Sequence, residues 1–371
     1  MLKIRQASLS DYPAISEFIN RAYGDLAAYK GEARWRWQFV DNPFRVAGDL
    51  PIWIALDGTR VVGQIGVQSA ELKVDERLQP AGWIVDVMVL ENYRGQGIAH
   101  RLYKAVAAKV PLLVTLTMAP ATRRIAERLG AITLPPVYQF SRWARLDKQK
   151  IARFMAARTR HRKTWNKGAL LAEKLGAPSM AAALVNPMLA VRDLMMRPCP
   201  TGLAINEVER FDHSVDDFWT QISRGYAYGV PRSTRFLNWR FLNCPQMNYR
   251  LFEARLYGKL VGTLVLRRTE VVELPQGIIV DLVTERGDIS VLESLIDFAL
   301  DWFGSDVASV EFGTSVQEIS EVARKRNFLK TRTHRPTLIC ADPSLRRQIA
   351  DPRKTWFLSK ADHDWDQIRL G

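Results

Sequence analysis

The sequence predicts a mixed α/β protein (α+β in its strand pairing) of two related units. Each would be a mixed central sheet flanked by helices, and a basic helical linker would join them. Three observations lead there. The chain has 371 residues, enough for about two domains with full cores. It repeats itself once, and within the repeat apolar residues alternate between strand and helix periodicity. The expected boundaries are residues 1–147 for the first unit, 148–200 for the linker and 201–371 for the second unit.

The repeat consists of three collinear matches. Trp37-Gln-Phe-Val-Asp-Asn-Pro43 is echoed by Trp239-Arg-Phe-Leu-Asn-Cys-Pro245, and Ala55 to Gly63 by Ala254 to Gly262. Pro80-Ala-Gly-Trp-Ile-Val-Asp86 is echoed by Pro275-Gln-Gly-Ile-Ile-Val-Asp281. A spacing that drifts only slightly along the chain is that of a duplicated domain with small loop differences. Tryptophans repeated at fixed spacing read as core wedges rather than ligand platforms.

The first unit opens with a short strand at Leu2 to Ile4. Ser10 and Asp11 ahead of Pro13 then supply helix-start chemistry for a helix carrying Ile15, Phe18 and Ile19. Ile52 to Leu56 and Arg60 to Val67, joined by Asp57-Gly58, form a hairpin. Trp83 to Leu90 is nearly continuously apolar, as expected of a strand covered on both faces. Ile98, Leu102, Ala105, Val106 and Val110 keep helical spacing. A strand at Leu112 to Thr117, a helix at Ala121 to Leu129 and a strand at Ile132 to Trp143 complete the unit.

Composition bounds the function. The 53 Lys and Arg exceed the 39 Asp and Glu by 14, which points to an anionic partner. From Arg142 to Lys174 eleven Lys or Arg face two acids, so this stretch carries nine of those charges. With the uncharged segment up to Val191, residues 142–191 are suited to peripheral contact with an anionic membrane. A solvated helix over the seam between the units explains the same pattern. Three scattered cysteines offer neither a disulfide framework nor a zinc ribbon. The start of the chain lacks a secretory apolar stretch and no window matches a membrane span, so the expectation is a cytoplasmic protein, peripheral at most at the inner membrane face. The tail Asp362-His-Asp-Trp-Asp366 lacks the glycine and distal glutamate of a calcium loop, and no metal is expected.

Chemistry concentrates after the buried strand. Val85-Asp-Val-Met-Val-Leu90 runs into Glu91-Asn-Tyr-Arg-Gly-Gln-Gly-Ile-Ala99 and then into an amphipathic helix. Small residues let the backbone curl closely around a diphosphate, and successive N–H groups at a helix start form a positive nest for it. On Arg94, Gly97 and Ala99 the sequence resembles the GNAT acyltransferase superfamily, whose acetyl-CoA motif is R/Q-x-x-G-x-G/A. That resemblance implies acetyl-CoA as co-substrate, with the pyrophosphate held by Arg94, Gly95, Gln96, Gly97, Ile98 and Ala99. Val87, Met88 and Val89 would border the pantetheine arm, Val87 and Val89 lending it backbone groups. His100, Arg101 and Lys104, just beyond, read more simply as a solvated face.

The resemblance has a gap. Many members carry a tyrosine in a Y-x-x-x-G-F context that protonates the departing thiolate, and Ala126 stands in its place. Release then needs water or another group such as Tyr138. A carboxylate or water chain must also keep the accepting amine neutral. Asp86 is the first candidate, although its repeat partner Asp281 argues equally for a structural role. The second unit repeats the strands but not the loop: Glu285 and Asp288 stand where a diphosphate would lie and would repel it. That unit is expected to have lost the cofactor and to wall the acceptor site.

The leading reading is therefore an acetyl-CoA-dependent N-acyltransferase acting on a primary amine, with an amino sugar or cell-envelope glycan precursor as acceptor by analogy. Two others stay open. One is an aminoacyltransferase of the peptidoglycan type, whose donor, aminoacyl-tRNA, suits the positive charge. The other is a non-catalytic CoA-binding module.

Overall fold

A computed structural model of the chain describes residues 2–46, 48, 50–144, 186, 187, 191, 202–271 and 274–367. The basic linker expected at 148–200, and with it the stretch 142–191 expected to suit peripheral membrane contact, lies almost wholly outside these residues.

In the N-terminal part the order is β1 (Lys3–Gln6), α1 (Tyr12–Tyr23), α2 (Glu32–Trp35), β2 (Ile52–Asp57), β3 (Arg60–Val74), β4 (Arg77–Val89), α3 (Ile98–Ala107), β5 (Leu112–Thr115), α4 (Pro120–Arg128), β6 (Ile132–Thr133) and β7 (Val137–Trp143). After the linker come β8 (Leu203–Val208), α5 (Ser214–Ile222), β9 (Tyr228–Gly229), α6 (Thr234–Phe241), β10 (Tyr249–Leu256), β11 (Lys259–Val271), β12 (Leu274–Thr284) and α7 (Ile289–Phe303). The chain closes with β13 (Ser309–Thr314), α8 (Gln317–Lys325), β14 (Leu329–His334), β15 (Thr337–Cys340), α9 (Pro343–Ile349) and β16 (Trp356–Phe357). The chain divides into two compact units, neither continuous in sequence: residues 1–137, 215–247 and 334–358, and residues 138–214, 248–333 and 359–371.

The first unit is a nine-stranded mixed sheet whose main path is β1-β2-β3-β4-β5-β15-β6. Its two faces explain the sequence pattern. On one, α3 sets Ile98, Leu102, Tyr103 and Val106 against Trp53, Val62, Ile65, Val67, Ile84 and Leu113. On the other, α1 sets Ile15, Phe18 and Ile19 against Ile52, Ile54, Val61 and Val85. β4 is covered on both sides, hence its apolar run. β3 and β4 are longer than their apolar runs suggest, pairing from Gly63–Val89 to Val74–Arg77. The repeated tryptophans are both in this unit. Trp37 and Trp239 stack at 4.9 Å and 14°, and each indole N–H donates to the other's backbone carbonyl, at 3.0 and 3.2 Å. They are core wedges.

The second unit is a seven-stranded sheet, β14-β7-β13-β12-β11-β10-β8. The repeat persists down to its irregularities: the hairpin register slips after Ala55 in β2 and after the equivalent Ala254 in β10. Helix α7 buries Leu292, Leu295, Ile296 and Ala299 and lies on β11 and β12.

The boundaries expected at 147 and 201 are corrected by strand placement. The single strand expected at 132–143 is split. Only β6 stays with the first unit, whereas β7 pairs antiparallel with β13, from Tyr138–Thr314 to Trp143–Ser309. Packing decides it: Phe140 is fully buried and stacks on Phe312 at 5.2 Å. Conversely β15 enters the first sheet between β5 and β6, pairing Thr337 with both Thr115 and Thr133. A spacing pattern predicts that a segment is a strand, but not which sheet receives it. A fragment of residues 1–147 therefore lacks β9, β15 and β16 and leaves the β5 edge unpaired. Thermal unfolding followed by circular dichroism is expected to show no cooperative transition for it, in contrast to the full chain.

Candidate functional site

In the first unit β4 and β5 run parallel and pair only at Gly82–Leu113 and Trp83–Val114. Beyond them, among the described residues, no strand pairs with β4 on that side, so the two strands part. A β-bulge coincides with the parting. The register with β3 slips between Gln64–Met88 and Gly66–Val85, so Asp86 and Val87 together face Ile65. Asp86 takes the left-handed conformation this needs, with φ 53°, a region Asp tolerates better than most residues. The bulge turns the last residues of β4, Val87, Met88 and Val89, into a backbone edge available to a ligand.

Asp86 is almost wholly enclosed. Its carboxylate pairs with the Lys30 ammonium, the two side chains being 7% and 8% exposed, and the Tyr23 hydroxyl lies 3.5 Å from the same oxygen. The Lys30 cation also sits 5.3 Å over the Tyr23 ring. Lys30 and Tyr23 flank a helical turn, Gly24–Lys30, with no apolar periodicity, and nothing in the sequence singles them out. Asp281, the repeat partner, lies beside the equivalent bulge in β12 and accepts a hydrogen bond from Ser359 Oγ at 2.6 Å.

After β4 the chain makes one helical turn at Glu91–Tyr93 and enters the loop 94–97. Tyr93 anchors the turn by donating to Asp57 Oδ2 at 2.8 Å, and Arg94 Nε folds back onto Val89 O at 3.3 Å. Gly95 and Gly97 both adopt positive φ, 79° and 72°, and a Cβ at either would meet nothing within 4 Å. The loop is open to solvent. Gly97 caps α3 without any side-chain hydrogen bond, and the first turn of the helix holds no acid. The N–H groups of Ile98, Ala99 and His100 lie in that first turn, where no carbonyl within the helix reaches them. They add to a dipole equivalent to about half a positive charge at that end. The open glycine cradle, the absence of carboxylate and the free amides fit a diphosphate.

The second unit shows the opposite chemistry at the same place. Asp288 caps α7 by accepting from Val291 N at 3.2 Å, and Glu318 Oε2 accepts from Gly287 N at 3.1 Å. Carboxylates of the chain already occupy the loop amides an anion would need.

Comparison with known proteins places this geometry. The acetyltransferase (GNAT) domain family matches residues 3–131. The match spans β1 to α4 of the first unit. A GCN5-related N-acetyltransferase from Anabaena variabilis superposes with TM-score 0.57 at 14% identity, over 91% of this chain and 72% of that one. A GCN5-related N-acetyltransferase from Kribbella flavida gives 0.52 at 13%, over 91% and 70%. A conserved protein of Enterococcus faecalis V583 gives 0.59 at 11%, over 91% and 72%. Likenesses spanning nine-tenths of the chain show that both units share the GNAT architecture. No curated protein sequence matches the chain.

Within the GNAT domain the structure brings Asp86, Val87, Met88, Val89 and the 94–99 loop to one end of β4. Tyr138 is the first residue of the second unit, in β7, with the Lys330 ammonium 4.9 Å over its ring. Ala126, at the family's tyrosine position, is fully buried among the apolar residues of α3 and β5. A separate cavity of about 340 Å³ lies against Pro80, Ala81 and Pro111, at the other end of β4. Among the described residues no helix is long and apolar enough to cross a membrane.

Removing one partner of an enclosed ion pair leaves the other charge stranded. Lys30→Met is therefore expected to lower unfolding stability by about 3–5 kcal/mol, read by chemical denaturation. The double variant Lys30→Met, Asp86→Asn should recover a large part of that loss.

Proposed function

We propose that the GNAT domain catalyses transfer of an acetyl group from acetyl-CoA to a primary amine. The observation that carries this is the uncapped start of α3 behind Gly97, placed directly after a strand whose edge has been freed by the bulge at Asp86. Acetyl-CoA supplies the thioester. The 94–99 loop holds the diphosphate, and the free edge of Val87 to Val89 aligns the pantetheine arm in the manner of an added strand. The amine lone pair attacks the thioester carbonyl, the C–N bond forms, the C–S bond breaks and the thiolate leaves.

Two protons must be managed. The accepting amine loses one, and Asp86, held by Lys30 and Tyr23 where the strands part, is the carboxylate placed to take it directly or through water. The departing thiolate gains one. With Ala126 in the tyrosine's position, the donor is water. A free thiol has a pKa of about 8.5, so water is a sufficient donor near neutrality. The acceptor is an amine of small-molecule or glycan type, with an amino sugar or cell-envelope precursor as the leading class. A basic stretch at 142–191 docking on anionic lipid would suit a lipid-linked acceptor, and the cytoplasmic side of the membrane is then the place of action.

The aminoacyl-tRNA alternative has no need of a diphosphate loop, and the open cradle at Gly95 and Gly97 favours the CoA donor over it. A non-catalytic CoA-binding module would retain the loop and show no turnover.

Calorimetric titration tests the donor. The protein is expected to bind acetyl-CoA at one site per chain, and Gly97→Glu, which puts a carboxylate into an open anion cradle, to abolish the heat while leaving the thermal transition in place. Absence of binding in the parent protein, with salt-dependent tRNA binding instead, would overturn the reading. For the proton donor, Tyr138→Phe is expected to leave kcat within about twofold if water protonates the thiolate. A loss of about 100-fold, the scale of general acid catalysis, assigns the step to Tyr138.

A further inference from the structure

The second unit contains a strand parting of its own, and it is filled. β12 and β13 pair in parallel from Gln276–Ser309 to Ile279–Phe312 and then stop, as β4 and β5 do in the first unit. Into the gap comes a segment of the chain's own C-terminus. Ser359 makes a backbone bridge to Thr314 at the end of β13, and its hydroxyl donates to Asp281 of β12 at 2.6 Å. One residue thereby ties together the two strands whose counterparts in the first unit stay apart. Asp281 is the repeat equivalent of Asp86, so this is the position at which the first unit presents its freed edge.

The rest of the segment is built in to the same degree. The Lys360 ammonium, 1% exposed, pairs with Glu311 of β13 at 2.9 Å and lies 4.0 Å over the Trp365 ring. Trp365 packs so closely on β13 that a Cβ at Gly313 would lie 2.3 Å from its ring. Tyr249 of β10 donates to Asp366 Oδ2 at 2.8 Å, and Arg267 of β11 donates to Asp366 O. Ala361, Asp362 and Asp366 are all at or below 1% exposed. A tail that merely lay on the surface would keep such charged side chains in water.

We propose that residues 359–367 are a permanent internal ligand of the second unit. They form a peptide plug between β12 and β13, at the place a pantetheine arm would take in a cofactor-binding unit. The equivalence to a pantetheine site rests on the proposed acetyl-CoA reading of the first unit; the plug itself does not. Its consequence is that the chain binds one acyl-CoA and not two. Duplication has converted one of two cofactor clefts into a closed peptide site. The loss of the phosphate cradle at Asp288 and Glu318 and the filling of the cleft then describe one change, in which the tail gives Asp281 the Ser359 hydroxyl and Glu311 the Lys360 ammonium.

Hydrogen exchange on the full chain, with and without saturating acetyl-CoA, tests this. Peptides covering 359–367 are expected to exchange about 100-fold or more slower than the solvent-exposed turn at Tyr257, equally in both states. The 94–99 loop should slow on adding acetyl-CoA, at one equivalent bound per chain. Gly313→Ala, whose new Cβ displaces the Trp365 ring, should speed exchange of 362–367 by about tenfold while loop 94–99 still responds to ligand. Exchange of 359–367 as fast as the Tyr257 turn would overturn the plug. So would binding of a second equivalent, deprotection of the tail by acetyl-CoA, or no effect of Gly313→Ala. If loop 94–99 does not respond and no ligand binds, the acetyl-CoA reading fails, and the protection of 359–367 still decides the plug.

Discussion

The parting of β4 from β5 beyond Trp83 and Val114 is the constraint on which the candidate site depends. Two parallel strands paired along their whole length would have no free backbone edge and no gap for a ligand between them. The gap is held open by one extra residue in β4, which turns Val87 to Val89 away from a continued ladder. The extra residue costs local strain, since Asp86 must hold φ at 53°. Lys30 offsets that cost by locking the carboxylate in place. The glycine loop then follows directly from the end of the turned strand, so the bulge, the edge and the open start of α3 are successive consequences of a single irregularity.

That irregularity also explains how much was readable from residues alone. The loop Arg94 to Ala99 was legible because its chemistry is local: glycines, the missing acids and the helix that follows are neighbours in sequence. The same holds for the repeat, whose tryptophans are the core wedges that their spacing implies. Three things were not legible. The partner of Asp86 comes from a helical turn 56 residues earlier that carries no pattern. The destination of β7 depends on whether Phe140 finds a better neighbour in Phe312 than in its own half. The occupant of the second cleft comes from a tail whose acidic residues suggested at most a poor metal site. All three are pairings across long sequence distance, and periodicity reports only which face of an element is apolar.

The two units show how one architecture separates into an open and a closed form. Both keep the hairpin slip at Ala55 and Ala254, and both keep an aspartate at or beside the bulge of the middle strand. What differs is the first turn of the following helix. Gly97 leaves the α3 amides to solvent, whereas Asp288 satisfies those of α7. A capping aspartate stabilises its helix by about 1 kcal/mol, and α3 forgoes that gain. Sites that bind ligands are commonly those where a local stabilising choice has been left unmade. On this criterion the candidate site lies in the first unit, and at the same place the second unit has capped its helix.

The exchanged strands bear on why a unit without a cofactor cradle persists. β15 lies beside β5 and pairs Thr337 with Thr115, at the end of the strand that borders the candidate site. The first unit's sheet is thus completed by residues from the C-terminal half of the sequence, and β7, from the N-terminal half, completes the other sheet. Loss of the C-terminal half would strip β15 from the edge of β5 and leave a row of unpaired backbone groups next to the site. The C-terminal half is therefore bound to the candidate active site through backbone pairing.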